Sequence, residues 1–159
     1  LSLPRAQQSL GGSEFVVGTP QYMPPEAITD PDRVDERSDL YALCAVGYLM
    51  LTGTPVFEGH NVVELCAKHL DLAPQPPGER LGRAVPAELE AILLSGLAKS
   101  QDARPDSARA LRDALLACDV PAWTEDDARA FWQTRGGSHA RSSIDLAHAP
   151  TLQIEVDSR

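Results

Sequence analysis

Apolar residues recur with helical spacing along most of this chain, and Gly and Pro residues separate the periodic segments. The longest apolar segment runs from about Leu40 to Thr52, and its apolar side chains occupy nearly every face of the predicted helix. A helix without a polar face is typical of a buried element, so we expect this one to lie inside the domain. Ser38 or Asp39 is suited to cap its start, and Gly53 is suited to end it.

Shorter helices are predicted on both sides of this central helix, which makes the predicted fold mainly α. Pro24–Ile28 favours a short helix, because proline is accepted in a first turn. The prolines of residues 74–77 indicate an irregular connector. Apolar residues confined to one face predict further helices near residues 61–70, 86–97, 106–118 and 124–132.

Two short stretches near the ends of the chain have the pattern of extended structure. Phe15–Val17 is a brief apolar run, and Thr151–Val156 alternates between apolar and polar residues as a strand does. A single strand is not stable without a partner, and the sequence pattern offers none. Residues 136–159 are rich in Gly, Ser, His and Arg, so we expect them to form a flexible tail.

The acidity of the chain narrows its classes of partner. A net charge of −9 and a pI near 4.8 argue against a nucleic-acid-binding or anionic-membrane surface, since both require clustered Lys and Arg. The uncharged stretch from Leu40 to Phe57 is broken by Gly53-Thr54-Pro55. It is therefore shorter than the roughly 20 apolar residues that cross a bilayer, and we expect no membrane segment.

The cysteine residues point to a reducing compartment. Cys44, Cys66 and Cys118 are odd in number and far apart, which is typical neither of a disulfide framework nor of a zinc site. A cytoplasmic location suits them. The chain begins with Leu1 rather than Met, so we expect coding sequence upstream of it.

The most distinctive motif is the segment Gly18–Glu26, with the sequence Gly-Thr-Pro-Gln-Tyr-Met-Pro-Pro-Glu. Ser-Asp-Leu-Tyr-Ala-Leu follows at residues 38–43, and Arg104-Pro105 lies further along. Together these motifs resemble the end of the activation segment and the C-terminal lobe of the bacterial-type Ser/Thr protein kinases. This sequence departs from the family's pattern at two places. Pro24-Pro25-Glu26 replaces the family's Ala-Pro-Glu, and Ser100-Gln101 replaces the Asp-Pro that follows Leu-Ala-Lys in the family.

The resemblance implies a partial kinase domain over residues 1–118, formed by the activation segment and C-lobe helices, followed by a helical extension over residues 119–135. The parent activity would be transfer of the ATP γ-phosphoryl group to Ser or Thr of a protein. The segment Gly18–Glu26, called the shelf segment below, would support the substrate residue that follows the phosphoacceptor. Its residues with that implied role are Gly18, Thr19, Pro20 and Tyr22.

The same resemblance assigns structural roles to three charged residues. Glu26 is expected to form a buried ion pair with Arg104, the alternative being two exposed charges that contribute under about 1 kcal/mol. Asp39 would hold the backbone of the family's catalytic loop, or would serve only as a helix cap.

Hydroxyl groups of the activation segment are candidate phosphorylation sites. The resemblance places three such residues in the activation segment: Ser9, Ser13 and Thr19. A phosphate on one of them would add nearly two negative charges, which an Arg side chain could bind. Ser9 and Ser13 could equally be ordinary loop serines.

The chain lacks the motifs that bind nucleotide and transfer phosphate in this family. It contains no G-x-G-x-x-G, Val-Ala-Ile-Lys, His-Arg-Asp or Asp-Phe-Gly sequence. We therefore expect no ATP or Mg²⁺ site here, although the complete family domain uses both, and we expect no catalytic residue and no activity from this chain alone. The alternative is a non-catalytic module that binds a partner protein through the shelf segment.

Protein partners are the class that these patterns favour. They would be a protein substrate or a partner kinase. Without the family's catalytic loop, the apolar surface near Leu40–Val46 would be uncovered, and such surfaces promote self-association.

Overall fold

The structure, a computed structural model, describes residues 14–135 and 152–156 of the chain. Ser9, Ser13 and most of residues 136–159 lie outside this part, so the predictions made for them stay predictions. The mainly α fold is confirmed. The helices are α1 (Pro25–Thr29), α2 (Glu36–Thr52), α3 (Val62–Asp71), α4 (Pro77–Leu81), α5 (Ala87–Gly96), α6 (Ala108–Ala117) and α7 (Glu125–Arg135), with 3₁₀ turns at Pro20–Tyr22, Pro31–Arg33 and Gln101–Ala103.

A two-stranded antiparallel sheet joins the two ends of the described chain. Strand β1 (Glu14–Gly18) pairs with β2 (Leu152–Val156), with Glu14 opposite Val156 and Gly18 opposite Leu152. The sequence pattern indicated the second strand but offered it no partner. Alternation of side chains shows that a segment is extended, whereas pairing between distant segments is decided by the folded chain.

Helix α2 begins four residues earlier than the apolar pattern predicts. Asp35 caps it: the carboxylate of Asp35 accepts a hydrogen bond from the Arg37 N–H at 2.9 Å, and Ser38 Oγ accepts one from the Asp35 N–H at 3.2 Å. The prediction of Ser38 or Asp39 as the cap is therefore wrong. The charged residues before Ser38 have the polarity of a loop, but they form an exposed first turn of the helix. Gly53 ends α2 in the left-handed conformation, with φ of 76°, as expected.

One face of α2 packs into the core and the opposite face lies open. Leu40, Tyr41, Cys44, Ala45 and Tyr48 are buried. The prediction that the helix is buried on all sides is wrong for the described part of the chain, because its other apolar face meets no covering element there. The exposed fractions on that face are 55% for Leu43, 37% for Val46 and 81% for Met50.

The open face of α2 forms one wall of an apolar groove of about 380 Å³. Side chains of α5 and α6 form the other walls of the groove. Covering apolar surface of this kind is favourable, since removal of apolar area from water stabilises by roughly 25 cal/mol per Å². The groove is lined by Leu43, Val46, Met50, Leu89, Leu93 and Leu115, among others.

Helix α5 lies close against α2 at Gly96. A β-carbon at Gly96 would lie 2.1 Å from Sγ of Cys44, which is far inside van der Waals contact. Cys44 is buried, and burial raises the pKa of its thiol to about 11, so it packs as a small uncharged group. The missing side chain of Gly96 provides the space that Cys44 occupies.

The proline-rich connector after α3 contains a helical turn that the sequence pattern missed. Pro77 is the first residue of α4, where its missing N–H is not needed. Among the described residues, no helix has both the length and the apolar character needed to cross a membrane.

Substitution of Gly96 by Ala should destabilise the protein by about 1–3 kcal/mol, because the new methyl group overlaps Cys44. The same substitution in a Cys44→Ala background should be less costly, because the sulfur has been removed and only the β-carbon of residue 44, at 2.9 Å, still crowds the new methyl group. Urea unfolding of the wild type, both single variants and the double variant measures the coupling between the two sites. Equal destabilisation by Gly96→Ala in both backgrounds would contradict this account of the contact.

Candidate functional site

The shelf segment runs from the end of β1 through a 3₁₀ turn into α1. The Tyr22 N–H donates to the Thr19 carbonyl at 3.0 Å, and the Met23 N–H donates to the Pro20 carbonyl at 3.4 Å. Pro20 and Met23 are buried, whereas Thr19 and Tyr22 are half-buried. The prolines fix the backbone without regular secondary structure, so the segment has a buried underside and a partly exposed outer surface.

Glu26 fastens the end of this segment to the helical core through Arg104. Arg104 Nη1 lies 2.7 Å from Glu26 Oε1, and Arg104 Nη2 lies 2.8 Å from Glu26 Oε2. The Arg104 side chain is 0% exposed and that of Glu26 is 6% exposed. This two-point geometry is the strong form of an Arg–carboxylate interaction. The structure thus brings together the two residues that the resemblance paired, and the alternative of two exposed charges does not apply.

The remaining donors of Arg104 bind backbone carbonyl groups. Its Nε donates to the Ala98 carbonyl at 2.8 Å, and its guanidinium nitrogens also donate to the carbonyls of Arg37 and Lys99. The guanidinium carbon lies 4.9 Å from the centre of the Tyr41 ring. A buried guanidinium is tolerated only with this degree of pairing, so Arg104 joins α1, α2 and the loop after α5 at one point.

The charge of Glu26 is maintained in spite of its burial. Burial by itself raises the pKa of the carboxyl group, but hydrogen bonds from Arg104 and Ser38 outweigh it and lower the pKa below its ordinary value. Ser38 Oγ donates to Glu26 Oε1 at 2.5 Å. Ser38 therefore serves both the cap of α2 and the ion pair, a role that the sequence analysis did not assign to it.

Thr19 and Asp39, two further polar residues among the predictions, take no part in this cluster. Thr19 precedes the 3₁₀ turn, and its side chain makes no capping hydrogen bond to that turn. Asp39 lies exposed in the first turn of α2, past the capping position, so the alternative role as a helix cap is wrong. Its implied role in holding a catalytic loop stays a prediction.

His69 and Tyr41 are site residues that sequence reasoning missed. Both side chains are 0% exposed, and the Tyr41 hydroxyl lies 2.8 Å from Nδ1 of His69. His69 lies near the C-terminal end of α3, which packs against the 3₁₀ turn of the shelf segment. A lone His in an apolar helix gives no sequence signal that distinguishes this contact from ordinary core packing.

Removal of either partner of the buried ion pair should destabilise the fold by about 3–5 kcal/mol, because the other charge stays buried without compensation. The variants are Glu26→Ala and Arg104→Ala, measured by urea unfolding. Arg112→Ala is the control, since Arg112 belongs to an exposed pair with Asp113 and should change stability by no more than about 0.5 kcal/mol. Similar small losses in all three variants would contradict the importance given to this pair.

Comparison with known proteins identifies relatives of the chain. The chain is 41% identical over 107 residues to serine/threonine-protein kinase pkn3 of Myxococcus xanthus. This match covers 66% of this chain and 19% of that protein. The chain is also 41% identical over 101 residues to serine/threonine-protein kinase PknB of Mycolicibacterium smegmatis, and 40% identical over 101 residues to PknB of Mycobacterium tuberculosis. Each of these two matches covers 64% of this chain and 16% of the relative.

No family model matches the chain in a scan against protein-family models. The chain spans less than a fifth of the length of the relatives described here. The similarity to these proteins, the mainly helical fold and the paired Glu26 and Arg104 agree with one another. The chain is therefore a relative of the bacterial serine/threonine-protein kinases that corresponds to a part of their length, and its mainly helical fold is consistent with a C-terminal lobe.

Proposed function

We propose that this chain is the substrate-positioning part of a protein Ser/Thr kinase. The complete enzyme would transfer the γ-phosphoryl group of ATP to Ser or Thr of a protein substrate. The observation that carries the proposal is the attachment of Gly18–Glu26 to the helical core through the buried Glu26–Arg104 pair. A segment whose inner side is buried against the core and whose outer side is partly exposed is suited to hold an extended peptide in one place.

The contribution of such a segment to catalysis is geometric. Phosphoryl transfer depends on the position of the acceptor hydroxyl relative to the phosphate, and a misplacement of about 1 Å can cost on the order of 100-fold in rate. Thr19 and Tyr22 are the partly exposed side chains that would contact the substrate. Thr19 also remains a candidate phosphorylation site, because its hydroxyl is not used in capping the 3₁₀ turn.

We propose no nucleotide or metal site among the described residues. Among them, no group of three or more His, Cys, Asp or Glu side chains is placed to hold a metal ion. The sequence also contains none of the nucleotide motifs of the family. We therefore assign to these residues the positioning of the protein substrate and no step that involves ATP or Mg²⁺.

The proposed partners are a protein substrate or a second kinase, in the cytoplasm. Cys44, Cys66 and Cys118 are free thiols in the described part of the chain, which suits a reducing compartment. The acidic charge of the chain supports a protein partner over nucleic acid.

A chimaeric kinase tests the proposed function. The part of the Myxococcus xanthus relative that precedes its matching region would be joined to residues 14–159 of this chain. We expect this protein to phosphorylate a general protein substrate, and Thr19→Ala to lower kcat/KM by about tenfold or more, because the shelf contact is weakened. Phosphate incorporation from labelled ATP is the measurement.

Thr29→Ala is the matched control, because Thr29 is an exposed threonine of α1 outside the shelf segment. A folded chimaera without activity, or equal activity of the Thr19 and Thr29 variants, would overturn the proposal. Calorimetry with ATP and Mg²⁺ on the unmodified chain should give no binding, and saturable binding would contradict a role limited to positioning.

Self-association through the groove is proposed for the chain in isolation. Leu43, Val46 and Met50 present a contiguous apolar surface, and two such surfaces can cover each other. Sedimentation velocity should show a concentration-dependent dimer that Met50→Glu weakens. Val63→Glu is the control, since Val63 is 79% exposed on α3 and is absent from the groove lining. Equal association of both variants, or a strictly monomeric wild type, would exclude the groove as the contact.

A further inference from the structure

Strand β1 leads directly into the shelf segment. Gly18 is both the last residue of β1 and the first residue of that segment. In the antiparallel pairing with β2, Leu152 lies opposite Gly18 and Val156 lies opposite Glu14. The N-terminal end of β2 is therefore next to the start of the shelf segment, and the rest of β2 runs away from it along β1.

The partner of β1 comes from the other end of the chain. Residues 19–151 separate the two strands, so no hairpin turn joins them. Antiparallel pairing consists of main-chain hydrogen bonds, which any extended peptide can make. The edge of β1 that β2 covers is therefore an edge that accepts an extended main chain, and addition of a strand to a sheet edge is a common way in which proteins bind peptides.

The pairing has the character of an exchangeable contact. Within the described part of the chain, the sheet consists of β1 and β2 alone. A two-stranded sheet is at best marginally stable without a further strand or a helix packed on its face. β1 is fixed at one end, because the shelf segment that follows it is attached through the Glu26–Arg104 pair. β2 packs mainly against β1 among the described elements, as a bound peptide would.

The direction of β2 matches that of a peptide held by the shelf segment. That segment is expected to support the substrate residue that follows the phosphoacceptor. If the later residues of such a substrate paired with this edge of β1 in antiparallel fashion, they would start at Gly18 and run toward Glu14, as β2 does. A substrate and β2 cannot occupy this edge at the same time.

We propose that β1 is a docking edge for an extended peptide and that this chain occupies the edge with its own residues 152–156. The C-terminal strand closes the edge, and a protein substrate that pairs with β1 has to displace it. What this inference says of the substrate rests on the proposed function. The docking edge and its occupant are tested without substrate and without catalytic activity.

Proline substitution in β2 tests whether this strand covers β1. Successive N–H groups of a strand point to opposite edges, so Gln153→Pro together with Ile154→Pro removes one N–H that faces β1. In this double variant of the whole chain, the amides of β1 that β2 protects should exchange about tenfold faster or more. The Leu97 amide, which bonds to the Leu93 carbonyl at 3.1 Å in the core, should keep its exchange rate.

Gln153→Thr together with Ile154→Val is the matched control for the proline variant. Both main-chain N–H groups are retained, and threonine and valine favour strands. The amides of β1 should therefore stay protected as in the wild type. Equal exchange of β1 in the proline variant and in this control would overturn the proposal.

A synthetic peptide with the sequence of residues 150–158 tests the docking edge itself. A segment of the same chain acts at an effective concentration on the order of 1 mM, so occupancy of β1 by β2 requires a Kd of the peptide below about 1 mM. Nitrogen-15 NMR of the double proline variant should show saturable shifts of the β1 amides. The wild type should need severalfold more peptide, because β2 competes. The peptide that itself carries both prolines is the control and should cause no shift.

The remaining outcomes separate the proposal from its alternatives. Absence of peptide binding to the proline variant would overturn the docking edge. Protection of β1 that is lost on dilution of the wild type would show that a second copy supplies β2, and occupancy by the chain's own strand would be wrong. Failure of the proposed function gives a different result, an inactive chimaera, while β1 of the whole chain still binds the peptide.

Discussion

The buried ion pair between Glu26 and Arg104 is the interaction on which the rest of the structure depends. It joins the start of α1 to the loop after α5, two segments far apart in sequence. Both charges are out of water, so each is tolerable only because the other is present and its remaining polar atoms are paired. Ser38 donates to the carboxylate and three backbone carbonyls accept from the guanidinium. A cluster of this kind stabilises one arrangement of the chain against all others.

Around this pair the core divides into a rigid side and an open side. On the rigid side, Tyr41 lies under the Arg104 guanidinium and reaches His69, and Cys44 fits against the bare backbone of Gly96. On the open side, Leu43 and Met50 face the groove. The shelf segment is attached to the rigid side. A positioning role therefore fits this side of the molecule, where the charges of Glu26 and Arg104 are buried and paired.

Much of the local structure could be predicted from short-range chemistry. Asn61 caps α3 by accepting from the Glu64 N–H, and Gly53 ends α2 with a positive φ, as their residue types indicate. The start of α2 was misplaced because Asp35 and Ser38 cap each other across a polar turn that also has the composition of a loop. The pairing of Glu26 with Arg104 came from family resemblance, since nothing in the spacing of two charges shows that they meet.

The sequence by itself determined most of the helices, their approximate limits and the irregular backbone of the shelf segment, because periodicity, caps and prolines act over a few residues. The tertiary structure alone decided which apolar faces are covered. Leu40 and Leu43 are both apolar residues of one helix, yet only Leu40 is buried. It also decided that His69 meets Tyr41 and that β1 pairs with β2. These contacts join residues that are far apart in the chain, and a pattern that extends over a few residues carries no information about which distant residues meet.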